Sequence, residues 1–329
     1  LRSKDQGLYK QVFNTVVTDG RILRGLIQMI RSGEFGSKSL GSCTRKLVNN
    51  WLANKTPLSV WNQSIGNSPS MRDVMRLSRP SPKGDPEREA VYRLIVKDET
   101  SESLPQVIKD YYAFKSDMTL EMPKVSFQRL TSLELTDNHW KSLGDNMSWS
   151  QLRQNINSLE KHKAFTDVDL TNRLAEKIAN RDEVRKAKVF PYQVYTSCLH
   201  VTNAKMKHAL QTALDHSVEN VPVYPENTVV AIDVSGSMGS PVNAQNVNVG
   251  LSCAQVAGLM AIAILKKNPS TRIVTFDTEA KEYKSLNAHD SVMTNLQKIN
   301  FNGGGTACSS AVKFVKDKGI PCDLMVMIS

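Results

Sequence analysis

Cysteine is scarce in this chain. The five at Cys43, Cys198, Cys253, Cys308 and Cys322 are odd in number and widely scattered. That excludes a disulfide framework and a close-paired zinc site, and leaves reduced thiols. Long apolar runs are lacking too. The richest, around Val256 to Leu265, is too short to span a bilayer, and the first residues are polar and charged, unlike a signal peptide. A cytoplasmic protein without a membrane segment is the expectation. Catalytic constellations are also missing: no nucleophile–base pair, no phosphate-binding P-loop and no His-rich metal centre. His139, His162, His200, His208 and His216 show no paired spacing with carboxylates, so hydrolysis and phosphoryl transfer have no residues to rest on.

What is present is length, core material and positive charge. The 329 residues, 40% of them hydrophobic, are enough for two domains. Lys and Arg number 42 against 32 Asp and Glu, and only nine of the former and seven of the latter lie from Thr228 onward. The positive excess therefore sits in the N-terminal two-thirds. A polyanion is one reading of it, solvation of helices by Lys and Arg the other.

From Leu8 to about Ser217 the apolar spacing is helical, broken by short polar, Gly or Pro punctuation. Ile22, Leu23, Leu26, Ile27 and Ile30 share one face, closed by Gly33 and Gly36. Leu47, Trp51 and Leu52 follow a Gly41-Ser42 start. Further helices are expected over Glu87–Ile95, Leu104–Phe114, Ser150–Leu159, Asp167–Ile178 and Ala204–Leu214. Short turns and the absence of heptads suggest stacked helical hairpins, although no clean repeat period emerges. Trp51, Trp61, Trp140 and Trp149 read as packing residues. Ser68 and Pro69 precede a helix that ends ahead of Pro80, on which Arg72, Arg76 and Arg79 fall at i, i+4 and i+7. Such a row meets successive phosphates or simply faces water. Lys38, Arg45 and Lys46 around the Gly36–Gly41 loop, and Arg181, Arg185, Lys186 and Lys188 before Pro191, are basic clusters near helix ends, where cations also compensate the helix dipole.

Val221 to Asn227, with Pro222 and Pro225, reads as a linker between a helical domain (residues 1–220) and an α/β domain (228–329). Beyond it strands and helices alternate: strand Thr228–Val234, helix from about Asn248 to Lys267, strand Arg272–Phe276, helix Ser291–Ile299, helix Cys308–Lys316 and strand Asp323–Ser329. The alternation predicts a parallel sheet with ligands beyond the strands' carboxyl ends. There, Val229-Val230-Ala231-Ile232 delivers Asp233-Val234-Ser235-Gly236-Ser237, and Gly303-Gly304-Gly305-Thr306 can approach the same point. Asp233 offers an anionic oxygen and Ser235, Ser237 and Thr306 neutral ones, a donor set suited to Mg²⁺ or another divalent cation. The alternative is an ordinary strand-to-helix turn in which the two serines merely cap. Asp277, after Phe276, lies near the same rim.

Asp-x-Ser-x-Ser followed by Thr resembles the metal-ion-dependent adhesion site of von Willebrand factor A domains. Upstream, Asp73-Val74-Met75-Arg76-Leu77-Ser78, Met147-Ser148-Trp149-Ser150-Gln151-Leu152-Arg153-Gln154-Asn155 and Val189-Phe190-Pro191-Tyr192-Gln193-Val194 stand in the order found in the Ro autoantigen family, and the chain resembles a bacterial or phage-type member. The resemblance implies a ring of HEAT-like repeats, the TROVE module, closed by an A domain. The final segment reads as a mid-sheet strand, so that domain is expected to be incomplete at its C-terminal end, with the family's last Asp due just after Ser329. The implied function is non-enzymatic and monomeric. It is binding of small noncoding RNA related to Y RNA and of the 3′ ends of misfolded RNA, in ribonucleoprotein assembly or quality control, with an exoribonuclease as a partner of bacterial members. Family RNA contacts come from the Arg-Leu-Ser helix and its neighbours, which implicates Arg72, Arg76 and Arg79 first and Lys38, Arg45 and Lys46 second. The competing expectation is a protein-binding module whose metal loop grips an acidic partner.

Overall fold

The computed structural model describes residues 5–34, 36, 38–242, 251–299 and 303–329. Among these, no strand precedes Thr228, and helices fill the chain up to that point. By internal contacts the chain divides into two compact units, Leu1–Leu135 and Thr136–Ser329. The division falls inside the helical region, and the second unit holds both helices and sheet.

In the first unit local sequence sets the helix ends. Helix Gly20–Ser32 starts from Asp19, whose carboxylate accepts the amides of Arg21 and Ile22, and stops at Gly33 with φ 82. Its inward face is the one the spacing predicts: Leu23 and Ile27 are wholly buried and Ile30 nearly so. They join Leu52 and Val48 of helix Gly41–Ala53 and Val74 and Met75 of helix Met71–Ser78 in one core. Each such side chain contributes about 1.5–3 kcal/mol by leaving water. A second cluster gathers Trp61, Val91, Leu94, Ile108 and Tyr111. Helix Met71–Ser78 is capped by Ser70, with Asp73 accepting the Ser70 amide in return.

All the expected helices are present. Helices Gln6–Val16, Pro57–Gln63, Asp137–Asn146, Arg181–Ala187 and Pro191–His200 were not singled out by periodicity. Two of these span seven residues each, too few for a 3.6-residue period to show.

The sheet comprises β1 (Thr228–Asp233), β2 (Arg272–Phe276), β3 (Ala280–Glu282) and β4 (Leu324–Ile328), in the order β3-β2-β1-β4. β1 is parallel to both β2 and β4, but β3 runs antiparallel to β2, so the sheet is mixed rather than purely parallel. The edge strand escaped notice because three residues, Ala280-Lys281-Glu282, carry no apolar alternation. All six residues of β1 are buried, as its apolar run requires. Helix Cys253–Lys267 begins at a Ser252–Gln255 capping box; the expected start at Asn248 lies outside the described residues. Asn268, at its end, donates to the Ile264 and Pro222 carbonyls and accepts the Tyr224 amide, tying the proline-rich linker to the domain.

Cys198, on helix Pro191–His200, is buried, and burial pushes its thiol up to about 12. The neutral thiol's contribution to stability is therefore complete below its unfolded value and is lost as pH rises from about 9 towards 12. At pH near 8, an alkylating reagent should modify the exposed Cys308 and Cys322 and spare Cys198 in the native protein, as read by mass spectrometry of the digested protein. Equal labelling of Cys198 would contradict the packing described.

Candidate functional sites

Two sites emerge, one in each unit. In the first, the capping box fixes the start of helix Met71–Ser78 and leaves Arg72 and Arg76 one turn apart and exposed. Both reach the end of helix Pro86–Lys97: Arg72 Nε donates to the Ile95 carbonyl at 3.1 Å, and an Arg76 terminal nitrogen to Val96 at 3.5 Å. These carbonyls lie in the last turn, where no intrahelical donor remains. The arginines are thus anchored by one edge of each guanidinium while other N–H groups remain for a ligand. Arg79 departs from expectation. It is the C-cap, in left-handed conformation with φ 52, so it leaves the helix rather than continuing the row.

Asp73 sits among these cations. The Ser70 hydroxyl and amide hold its carboxyl below the usual range, helped by the charges of Arg76 and Arg31. Arg31, which sequence reasoning passed over, stands in the last turn of helix Gly20–Ser32. Lys38 and Arg45 join it around one depression; Lys46, though exposed, does not line it. Arg72 borders another depression of about 360 Å³, shared with Tyr112, Asp98 and Arg129. Arg129 was also missed. It lies 4.1 Å over the Trp61 ring, donates to Ser64 Oγ at 2.7 Å and to the Trp61 carbonyl, and burial lowers its affinity for its proton.

In the second unit the basic cluster before Pro191 is partly spoken for: Arg181 pairs with Glu219 at 2.7 Å and Arg185 with Asp182 at 3.5 Å. His162, given no role by spacing, binds Asp137 at 2.9 Å and stacks on Trp140.

The other site lies where β1 ends. Asp233 is 1% exposed. Its Oδ1 accepts the Ser235 amide at 2.8 Å, and its Oδ2 accepts the Ser329 hydroxyl at 2.7 Å, a partner with no sequence signal. Ser235 Oγ and Ser237 Oγ are 3.2 Å apart. Backbone hydrogen bonds hold the glycine loop against it, with the Gly236 amide on the Gly304 carbonyl at 2.9 Å and the Gly303 amide on the Val234 carbonyl at 3.2 Å. Gly303 needs its φ of 63, and a methyl group on Gly304 would lie 3.0 Å from Asp277 Oδ2. Thr306 follows on the same loop, exposed. Asp277 frames that loop: the Glu279 amide holds its carboxyl below the usual range, and its own carbonyl accepts the Ala307 amide at 2.8 Å.

Among the described residues no group of three or more His, Cys, Asp or Glu could hold a metal. A buried carboxylate beside two adjoining hydroxyls is instead a sparse, all-oxygen set. Its chemistry fits a hard cation that keeps much of its water.

Residues 227–329 match the family model of the Ro60 von Willebrand factor A domain. RNA-binding protein RO60 of Caenorhabditis elegans is 20% identical over 255 residues, 71% of this chain and 39% of that protein, so the chain spans about two-fifths of that relative's length. The crystal structure of the Deinococcus radiodurans Ro (RSR) protein matches with a TM-score of 0.74 and 18% identity, over 99% of this chain and 70% of that one, which shows a shared fold.

Because Arg72 and Arg76 are exposed, their bonds to Ile95 and Val96 compete with water. Arg72→Ala and Arg76→Ala should each cost less than about 1 kcal/mol in urea unfolding. A larger loss would make these arginines structural and remove them as a ligand surface.

Proposed function

We propose that the chain is a member of the Ro family and an RNA-binding protein without catalytic chemistry. Its ligands are small noncoding RNA of the Y type and single-stranded 3′ ends of misfolded RNA, in ribonucleoprotein assembly or RNA quality control. The observation that carries this reading is the anchored, exposed pair Arg72 and Arg76 on the capped helix Met71–Ser78, in a chain whose relative is named an RNA-binding protein. Arg79, Lys38, Arg45 and Lys46 extend the contact surface.

The physical basis is electrostatic. Cations that neutralise backbone phosphates release condensed counterions, which gives affinity without base-specific geometry and makes it fall with salt. Arginine suits the task because a guanidinium presents a planar fork to a phosphate and keeps its charge. The protein acts in the cytoplasm as a monomer, with an exoribonuclease or an acidic protein as partner. No described helix is long and apolar enough to cross a membrane.

A second reading attaches to the loop at Asp233. Asp233, Ser235, Ser237 and Thr306 would hold Mg²⁺ or another divalent cation, which supplies an electrophilic point for a carboxylate of an acidic protein partner. The buried carboxylate and the paired serine hydroxyls support this role.

Reversing charge at Arg76→Glu with Arg79→Glu should weaken RNA binding severalfold and flatten its dependence on salt in a filter-binding titration. Unchanged affinity and slope would remove the arginine helix from the contact. EDTA separates the two readings. Chelation should leave RNA retention on the filter intact while abolishing a metal-bridged protein contact, and loss of RNA binding on chelation would assign the RNA to the metal loop instead.

A further inference from the structure

Around Arg31 the first unit gathers positive charge at one depression. Arg31 from helix Gly20–Ser32, Lys38 and Ser39 from the connecting loop, Leu40 and Arg45 from the start of helix Gly41–Ala53, and Leu77 from helix Met71–Ser78 line a depression of about 400 Å³. All three cations are exposed, and among the described residues none of them forms an ion pair. Asp73 senses Arg31, but its Oδ2 is already held by the Ser70 hydroxyl and amide.

Three like charges around one hollow repel one another, and an anion seated between them reverses the sign of every term. The backbone adds to the field. Helix Gly41–Ala53 opens beside the same residues; Leu40 offers no capping side chain, the neutral Ser39 Oγ accepts the Gly41 amide at 3.3 Å, and no acidic residue stands in the first turn to offset the helix's positive end. The geometry is also held in place. The Lys38 stem lies across Gly33, so closely that a Cβ on Gly33 would stand 2.7 Å from Lys38 Cε, and the φ of 82 there suits only glycine.

We propose that Arg31, Lys38 and Arg45 form a single phosphate-binding pocket that seats one backbone phosphate of the bound RNA, an anchor distinct from the Arg72 and Arg76 face. The identity of the ligand rests on the RNA-binding reading above; the oxyanion chemistry rests on the three cations around one depression, beside a helix start whose first turn holds no acidic residue. Arg45 enters the pocket and Lys46, its neighbour on the chain, does not, so the site discriminates between two adjacent basic residues.

The test uses two probes on the whole chain at low ionic strength: inorganic phosphate, followed by phosphorus NMR line width, and a fluorescein-labelled oligouridylate, followed by anisotropy across a salt series. Arg31→Gln and Arg45→Gln should weaken phosphate binding about tenfold, the size of one charge-assisted hydrogen bond, while Lys10→Gln, at an exposed lysine of helix Gln6–Val16 outside the depression, leaves it unchanged. In the RNA series Arg31→Gln should lower the salt slope by about 0.7, the loss of one single-strand phosphate contact. Equal losses in Lys10→Gln and Arg45→Gln would show diffuse charge rather than a pocket and overturn the proposal. Oligouridylate binding with an unchanged slope in Arg31→Gln overturns it as well, while leaving the RNA reading in place. If the wild-type chain binds phosphate but no oligouridylate, the RNA reading fails, and with it the assignment of that phosphate to RNA. Thermal melts of the three variants, expected to coincide with the wild type, exclude misfolding as the cause.

Discussion

The carbonyls at the ends of helices have no donors within their own helix, and this protein supplies them from basic side chains of neighbouring segments. Arg88 donates to the Leu52 and Lys55 carbonyls, Arg24 to Gln63 and Arg129 to Trp61. Arg72 and Arg76 do the same for Ile95 and Val96. In the second unit Lys177 serves Met147. A donor–acceptor pair with a charged partner contributes about 1.5–3 kcal/mol where it is sheltered, and less at the surface. Short helices joined by short turns multiply their ends, so such a fold calls on many cations before any ligand is considered.

That constraint explains why net charge alone is a poor guide to the binding surface. Part of the positive excess is structural: Arg88 is well covered and faces two carbonyls, and Arg181 and Arg185 have carboxylate partners. The cations of interest are those left over, or those anchored along one edge and open along the other. Arg72 and Arg76 are of the second kind. Arg31, Lys38 and Arg45 are of the first, and they line one depression, next to the left-handed Gly33 that ends helix Gly20–Ser32.

The helical faces and their caps were legible in sequence because both are local: Asp19, Gly33, Gly41 and the Ser70 to Asp73 box act within a few residues of where they stand. The strand ending at Asp233 was legible for the same reason, as four apolar residues followed by an acid and two hydroxyls. What sequence could not show depends on tertiary approach. Arg31 is separated from Arg45 by a turn, Ser329 meets Asp233 only because β4 pairs with β1, and Arg129 finds Trp61 across 68 positions. Arg79 was misplaced because helical spacing says nothing of where a left-handed cap will end the helix. Strand β3 was missed because an edge pair of three residues is specified by its partner, not by its own pattern.

The two sites depend on opposite physics. At the end of β1 a carboxylate is withdrawn from water and its oxygens are met by an amide and a hydroxyl, which favours a fixed geometry. On the first unit the charges stay in solvent, where attraction is long-ranged, screened by salt and tolerant of sequence. The central claim is that RNA meets the second kind of surface. Ultraviolet crosslinking of the protein to the RNA that copurifies with it, followed by mass spectrometry of the peptide adducts, tests this most directly. The account predicts adducts within peptides spanning residues 31–46 and 72–79; adducts confined to residues 136–329, with none in those two stretches, would contradict it.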